Sequence, residues 1–111
     1  MKAVFFILTK VELLDKLLKE LSEKGVKGGT ILESNGMARE LLAHDEESIF
    51  GSLRALLNPD YTTTKTLMFV IKDENVHLIV EAIEDVVGDL NIQDTGIVFS
   101  LPVDFIKGLK L

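Results

Sequence analysis

The sequence predicts an α+β protein with a ferredoxin-like split β-α-β order (βαββαβ): a four-stranded antiparallel sheet, two helices on one face, and a long loop between strands 2 and 3. Three observations carry that reading. A strand-like apolar run, a helix with an aliphatic stripe and a closing glycine occur twice, over residues 2–25 and 65–88. The copies run the same length, so Phe6 falls on Phe69, Leu8 on Ile71, Leu13 on Val76, Leu17 on Val80 and Gly25 on Gly88. Each copy is followed by a further stretch of strand character, and two strand-helix-strand units make a split βαβ sheet with both helices on one side. Finally, 111 residues of which 47% are hydrophobic support a single domain with its own core over 1–111.

Residues 3–8 (AVFFIL) form an unbroken apolar run bounded by Lys2 and Thr9, the pattern of a strand buried on both faces. Thr9, followed three residues on by Glu12, has the spacing of a capping box. Val11, Leu14, Leu17, Leu18 and Leu21 then recur at helical intervals as far as Gly25. Residues 28–34 (GGTILES) alternate weakly and carry two glycines, which suits an edge strand. The connection over 35–64 is several times the usual ~4–6 residues of a compact domain, and loops of that length tend to be functional. It opens on the turn dipeptide Asn35-Gly36 and carries the charged run His44, Asp45, Glu46 and Glu47. Within it, residues 49–57 (IFGSLRALL) have an amphipathic stripe, expected either to dock a partner as a helix or to pack on the protein itself, and Asn58-Pro59 closes them. Residues 65–71 (KTLMFVI) are the second doubly apolar strand. Asp73 stands where a helix cap belongs, with Val76, Ile79, Val80, Ile83 and Val87 as the inward stripe and Gly88 as the stop. After a polar loop over 89–95, Gly96 allows a close turn, 97–101 (IVFSL) form the last strand, and Pro102 is expected to end its pairing. Residues 103–111 are a short tail with Lys107 and Lys110.

A net charge of −6 and a pI near 4.8 disfavour non-specific binding of nucleic acid, which needs clustered cations. With no cysteine there is no disulfide, thiolate metal site or cysteine nucleophile. No span reaches the roughly 18 apolar residues of a membrane helix, and 3–8 is too short for a signal-peptide core. The expectation is a cytoplasmic protein without stable membrane insertion. The strands are apolar on both sides, Phe5 and Ile7 opposing Val4, Phe6 and Leu8, whereas an antiparallel sheet with one face in water alternates apolar and polar residues. Two helices cover one face only. The other is expected to be covered by further copies of the chain, or else by the tail or the long loop folding over it.

Residues 25–39 (GVKGGTILESNGMAR) resemble the PII signal-transduction family, the nitrogen regulatory proteins P-II. Gly25, Gly28, Thr30, Glu33, Gly36 and Arg39 stand at that family's Gly, Gly, Thr, Glu, Gly and Arg spacing with no gap, and the likeness extends over the chain in element order. It implies a homotrimer of ferredoxin-like subunits whose sheets face the trimer centre. Ligands, typically ATP or ADP and 2-oxoglutarate, sit in clefts between subunits, and the excursion over 35–64, the family's T-loop, engages a regulated partner protein. The chain is a divergent member on this reading. Glu40 replaces the glutamine that serves the Mg and 2-oxoglutarate site and would repel a dicarboxylate. The family's glycine-rich phosphate loop is reduced here to residues 91–97, with Ile97 at its lysine position. Lys107 and Lys110 offer some of the basic charge of the family's C-terminal segment, and Lys65 is one place from a family lysine near the third strand. Tyr61 lies too near the loop's end to match the tyrosine that some members modify.

The candidate effector-binding residues are therefore Thr30, Gly36, Arg39, Glu40, Lys65, Asn91, Asp94, Thr95, Gly96 and Lys107. Each also has a plainer role: Gly36 and Arg39 as a hairpin-type turn and a solvated arginine, Thr30 as an ordinary strand residue, and 91–96 as a turn. His44 with its acidic neighbours reads as a solvated patch rather than a metal site, and His77 as a helix surface residue. No nucleophile-base pair or carboxylate pair is placed by the sequence, which argues against an enzyme. The effector is unknown, with ATP or ADP implied by the resemblance. Two alternatives stand beside the signalling trimer: a CutA-like trimer binding divalent metal, and a small enzyme using the same clefts.

Overall fold

The computed structural model describes residues 1–44, 63–92 and 95–109, with only the backbone of residues 39 and 42–44. Four strands, β1 (Lys2–Leu8), β2 (Thr30–Ser34), β3 (Thr64–Ile71) and β4 (Gly96–Pro102), form one sheet in the order β2-β3-β1-β4 with every neighbour antiparallel. Helix α1 (Leu14–Glu23) joins β1 to β2, and the helix Val76–Val87, third among the described residues and called α3 here, joins β3 to β4. This is the split β-α-β arrangement that the repeated strand-helix unit predicts.

The core lies between helices and sheet. Val4, Phe6 and Leu8 of β1, with Leu67 and Phe69 of β3, face Leu17 and Leu21 of α1 and Ile79, Ala82 and Ile83 of α3, all buried. The two copies match with one correction. Buried Leu17 and Leu21 correspond to Ile79 and Ile83, not to Val80 and Glu84, because two residues separate β1 from the 3-10 turn Val11–Leu13 whereas Lys72 alone separates β3 from the turn Asp73–Asn75. The second helix thus starts one residue early relative to its strand, and the register is restored before Gly88.

Both expected N-caps are also corrected. The first 3-10 turn is capped by Lys10 rather than Thr9, and the second by Lys72 rather than Asp73, neither with a side-chain bond to the turn. Asp73 instead accepts the Met1 ammonium at 2.8 Å, the amino terminus lying beside it because Lys2 pairs with Ile71. At its other end α1 closes as a Schellman motif. Gly25, at φ 91°, donates to Ser22 O and Val26 to Leu21 O, while the Val26 side chain is buried in the core with Leu21.

Further differences concern boundaries. Strand β2 starts at Thr30, leaving Gly28 and Gly29 outside the ladder, β3 takes in Thr64, and β4 keeps pairing through Pro102 opposite Lys2. An edge strand tolerates that proline because one side of its ladder has no partner to serve. The excursion does not open as a hairpin-type turn. It runs directly into α2 (Met37–His44), whose Glu40 amide donates to Gly36 O at 2.9 Å. Residues 49–57, the run Asp45 to Glu47, Tyr61, Asp94 and Lys110 lie outside the described residues, as does the Arg39 side chain.

Candidate functional site

The strand registers sort the candidate residues by their position on the sheet. Leu8 pairs with Lys65 on one side and Gly96 on the other, and Lys65 pairs with Glu33. One end of the sheet therefore carries Glu33 and Ser34, Lys65, and Thr95 and Gly96, with Gly36 and α2 leaving from the same end. Across it, β2 and β4 are three strand spacings apart, roughly 14 Å. Thr30 lies opposite Met68, farther along the edge strand, exposed on the helix-free face. Lys107 follows Pro102 at the far end of β4, roughly 20 Å of strand away from Gly96. One end of the sheet in one chain thus carries Gly36, Lys65, Thr95 and Gly96, but neither Thr30 nor Lys107.

Several of these groups already have partners. Lys65 Nζ donates to Glu33 Oε1 at 2.7 Å, and this hydrogen bond, with the lysine's charge, holds the Glu33 carboxyl below the usual carboxylate range. The buried Thr95 hydroxyl donates to Ile92 O at 2.7 Å, and the Asn91 backbone N–H donates to Asp89 Oδ1 at 2.9 Å, so both ends of the 89–95 loop are fastened by the side chains of Asp89 and Thr95. Gly96 has a structural reason of its own. At φ 134°, a Cβ there would stand 2.5 Å from Ile7 O and 2.8 Å from a ring carbon of Phe6.

Sequence reasoning missed a hydroxyl chain at the neck of the excursion. Ser34 Oγ lies 2.6 Å from Thr64 Oγ1 and 2.7 Å from Thr66 Oγ1, so it can donate to one threonine while accepting from the other. The chain clasps the last residue of β2 to the first residues of β3 on the helix-free face. The signal for it was the two-residue spacing of Thr64 and Thr66, which places both hydroxyls on one side of a strand next to the turn-flanking serine.

The helix-free face itself is apolar in rows. Leu101, Ala3 and Val70 share one; Phe99, Phe5 and Met68 the next; Ile97 and Ile7 the third, with Leu32 beyond Thr66. Phe5 and Phe99 stack with ring centroids 5.2 Å apart and planes 13° from parallel. Ile97 and Leu101 remain more than half exposed. His77 is exposed on α3. Among the described residues no group of three or more His, Cys, Asp and Glu is placed to hold a metal ion, and no helix is long and apolar enough to cross a membrane.

No curated protein matches the chain. The sequence model of a family described as nitrogen regulatory protein P-II matches residues 1–110.

Proposed function

This chain belongs to the nitrogen regulatory protein P-II family, and on that premise we propose that it is a homotrimeric regulator that binds an adenine nucleotide in the clefts between subunits. As a PII-like signalling protein it has a target, and the excursion over 35–64 is the part that meets it. The observation that carries this reading is the division of the candidate residues between the two edges of one sheet: Gly36 and Lys65 stand toward the β2 edge, and Thr95 and Gly96 stand on the β4 edge. Within a chain they stand roughly 10–14 Å apart across the sheet end, with Leu8 of β1 between Lys65 and Gly96. A neighbouring copy that brings its β4 edge to this chain's β2 edge closes the gap.

The helix-free face supplies the adhesion. Its three apolar rows bury no side chain against the helices, and each large residue covered by another copy is worth roughly 1.5–3 kcal/mol if burial is complete. The nucleotide's coupling to the target runs through Gly36. Its carbonyl accepts the first-turn amide of α2, so a ligand held at Gly36 biases the direction in which α2 and the rest of the excursion leave the sheet. Glu40, on that first turn, disfavours a dicarboxylate co-ligand there.

The test is thermal-shift and calorimetric titration of the purified protein with ATP, ADP, AMP, 2-oxoglutarate and divalent metals, alongside its mass by light scattering. A ligand at 100 times its Kd adds about 2.7 kcal/mol. The expected result is a mass of three subunits and a shift with ATP or ADP. A response to metal alone, or the mass of one subunit at micromolar concentration, would refute the proposal.

A further inference from the structure

Glu33, Lys65, Leu8 and Gly96 form one rung across the end of the sheet, and Lys65 is the only cation in it. The ion pair in this rung is lopsided. The Lys65 side chain is 25% exposed and stands opposite fully buried Leu8, whereas the Glu33 side chain, on the edge strand, is 85% exposed. The lysine is held by its surroundings, while its carboxylate partner is free to swing into water. Their 2.7 Å hydrogen bond uses one of the three ammonium donors, and an ion pair with so exposed a partner contributes little to stability. Nor does the strand pairing depend on it. On the opposite face of the same sheet end, Ser34 Oγ lies within hydrogen-bond distance of both Thr64 Oγ1 and Thr66 Oγ1, so β2 stays fastened to β3 when Glu33 turns away.

We propose that Glu33 is a built-in competitor at the nucleotide cleft, its carboxylate holding Lys65 until the phosphates of a nucleoside di- or triphosphate displace it. This rests on the nucleotide reading above, which puts the ligand at the Gly36–Lys65 end of the sheet, and adds to it the group that the ligand must displace. The consequence is a threshold on charge. A ligand with a single carboxylate only exchanges one carboxylate for another at Lys65 and gains little, whereas a polyphosphate brings several charged acceptors to the same ammonium. Because Glu33 is exposed and the neck is fastened without it, the exchange leaves the fold unchanged. Glu33 thus sets which anions the site accepts, and Lys65 is the group through which it acts.

The test is calorimetric titration of the intact protein with ADP and with inorganic pyrophosphate, in wild type, Glu33→Gln, Lys65→Gln and the double variant. Glu33→Gln, which keeps the size of the side chain and removes its charge, is expected to tighten both ligands about tenfold, and Lys65→Gln to weaken both about tenfold. In the Lys65→Gln background the Glu33 substitution is expected to change nothing further, since its competition has lost its object. Unchanged affinity in Glu33→Gln overturns the proposal. So does a gain that persists without Lys65, because removing one negative charge from a protein of net charge −6 would then account for it. Pyrophosphate binding that tightens with Glu33→Gln in the absence of any ADP response sinks the nucleotide reading alone. ADP binding that ignores Glu33→Gln sinks this inference alone, and no binding of either anion by any of the four proteins sinks both.

Discussion

At Gly96 the packing leaves no room for a side chain. Its φ of 134° and the 2.5 Å approach of a Cβ to Ile7 O mean that Gly96→Ala must move β4 away from β1, its neighbour in the sheet. The expected cost is ~2 kcal/mol or more, read from the urea midpoint at unchanged m-value. Asp73 carries a pH dependence. The hydrogen bond from the Met1 ammonium, with the charges of Met1 and Lys2, holds its carboxyl below the usual carboxylate range. A carboxyl depressed in the folded state stabilises above its unfolded pKa, and the contribution disappears as pH falls through the depressed value. Asp73→Asn is therefore expected to be less stable than wild type at neutral pH and equal to it in strong acid, as thermal melts across pH will show. The sequence marked Gly96 as a turn residue, whereas it is the first residue of β4 held at positive φ, and it misread Asp73 as a cap. Capping follows from local spacing, whereas the Met1 ammonium reaches Asp73 only through the β1–β3 pairing.

Among the elements, the one-residue offset between the two strand-helix units decides which side chains are core. Leu17→Ala and Ile79→Ala are each expected to cost about 2–5 kcal/mol, and Val80→Ala about 1, measured by urea denaturation. Comparable losses at 79 and 80 would contradict the offset. The helices are further tied at one end by Lys24, which reaches Asp85 at 3.3 Å, Glu20 at 3.7 Å and Glu81 at 4.0 Å. The Asp85 hydrogen bond raises the Lys24 pKa, against a smaller effect of burial, so this tie is complete below the ordinary lysine range and is lost as pH rises through the raised value. Helix α2 went unread behind Asn35-Gly36, although MARELLAH is nearly all good helix formers. A turn dipeptide is only a local preference. Here it ends β2 and starts a helix, because no strand follows directly to complete a hairpin.

For the whole molecule, the helix-free face is the feature the single chain leaves unfinished. Phe99→Asp puts a charge on the stacked Phe5–Phe99 pair, at a position already exposed in the subunit, and is expected to leave the fold intact by circular dichroism. If the proposed trimer forms through this face, the same variant should run as single subunits in sedimentation and lose the proposed ADP binding with it, since the proposed cleft needs two copies. Retained trimer mass would place the interface elsewhere. By itself the sequence determined the split β-α-β fold and the apolar character of the second face, because strand and helix periodicities are local patterns that survive without coordinates. Only the tertiary structure decided that Gly36 and Gly96 stand at opposite edges of one sheet end, that Lys65 is paired with Glu33, and that three hydroxyls fasten the neck of the excursion. Those relations depend on strand order and register, which bring together residues far apart in the chain and have no signature in any short stretch of it.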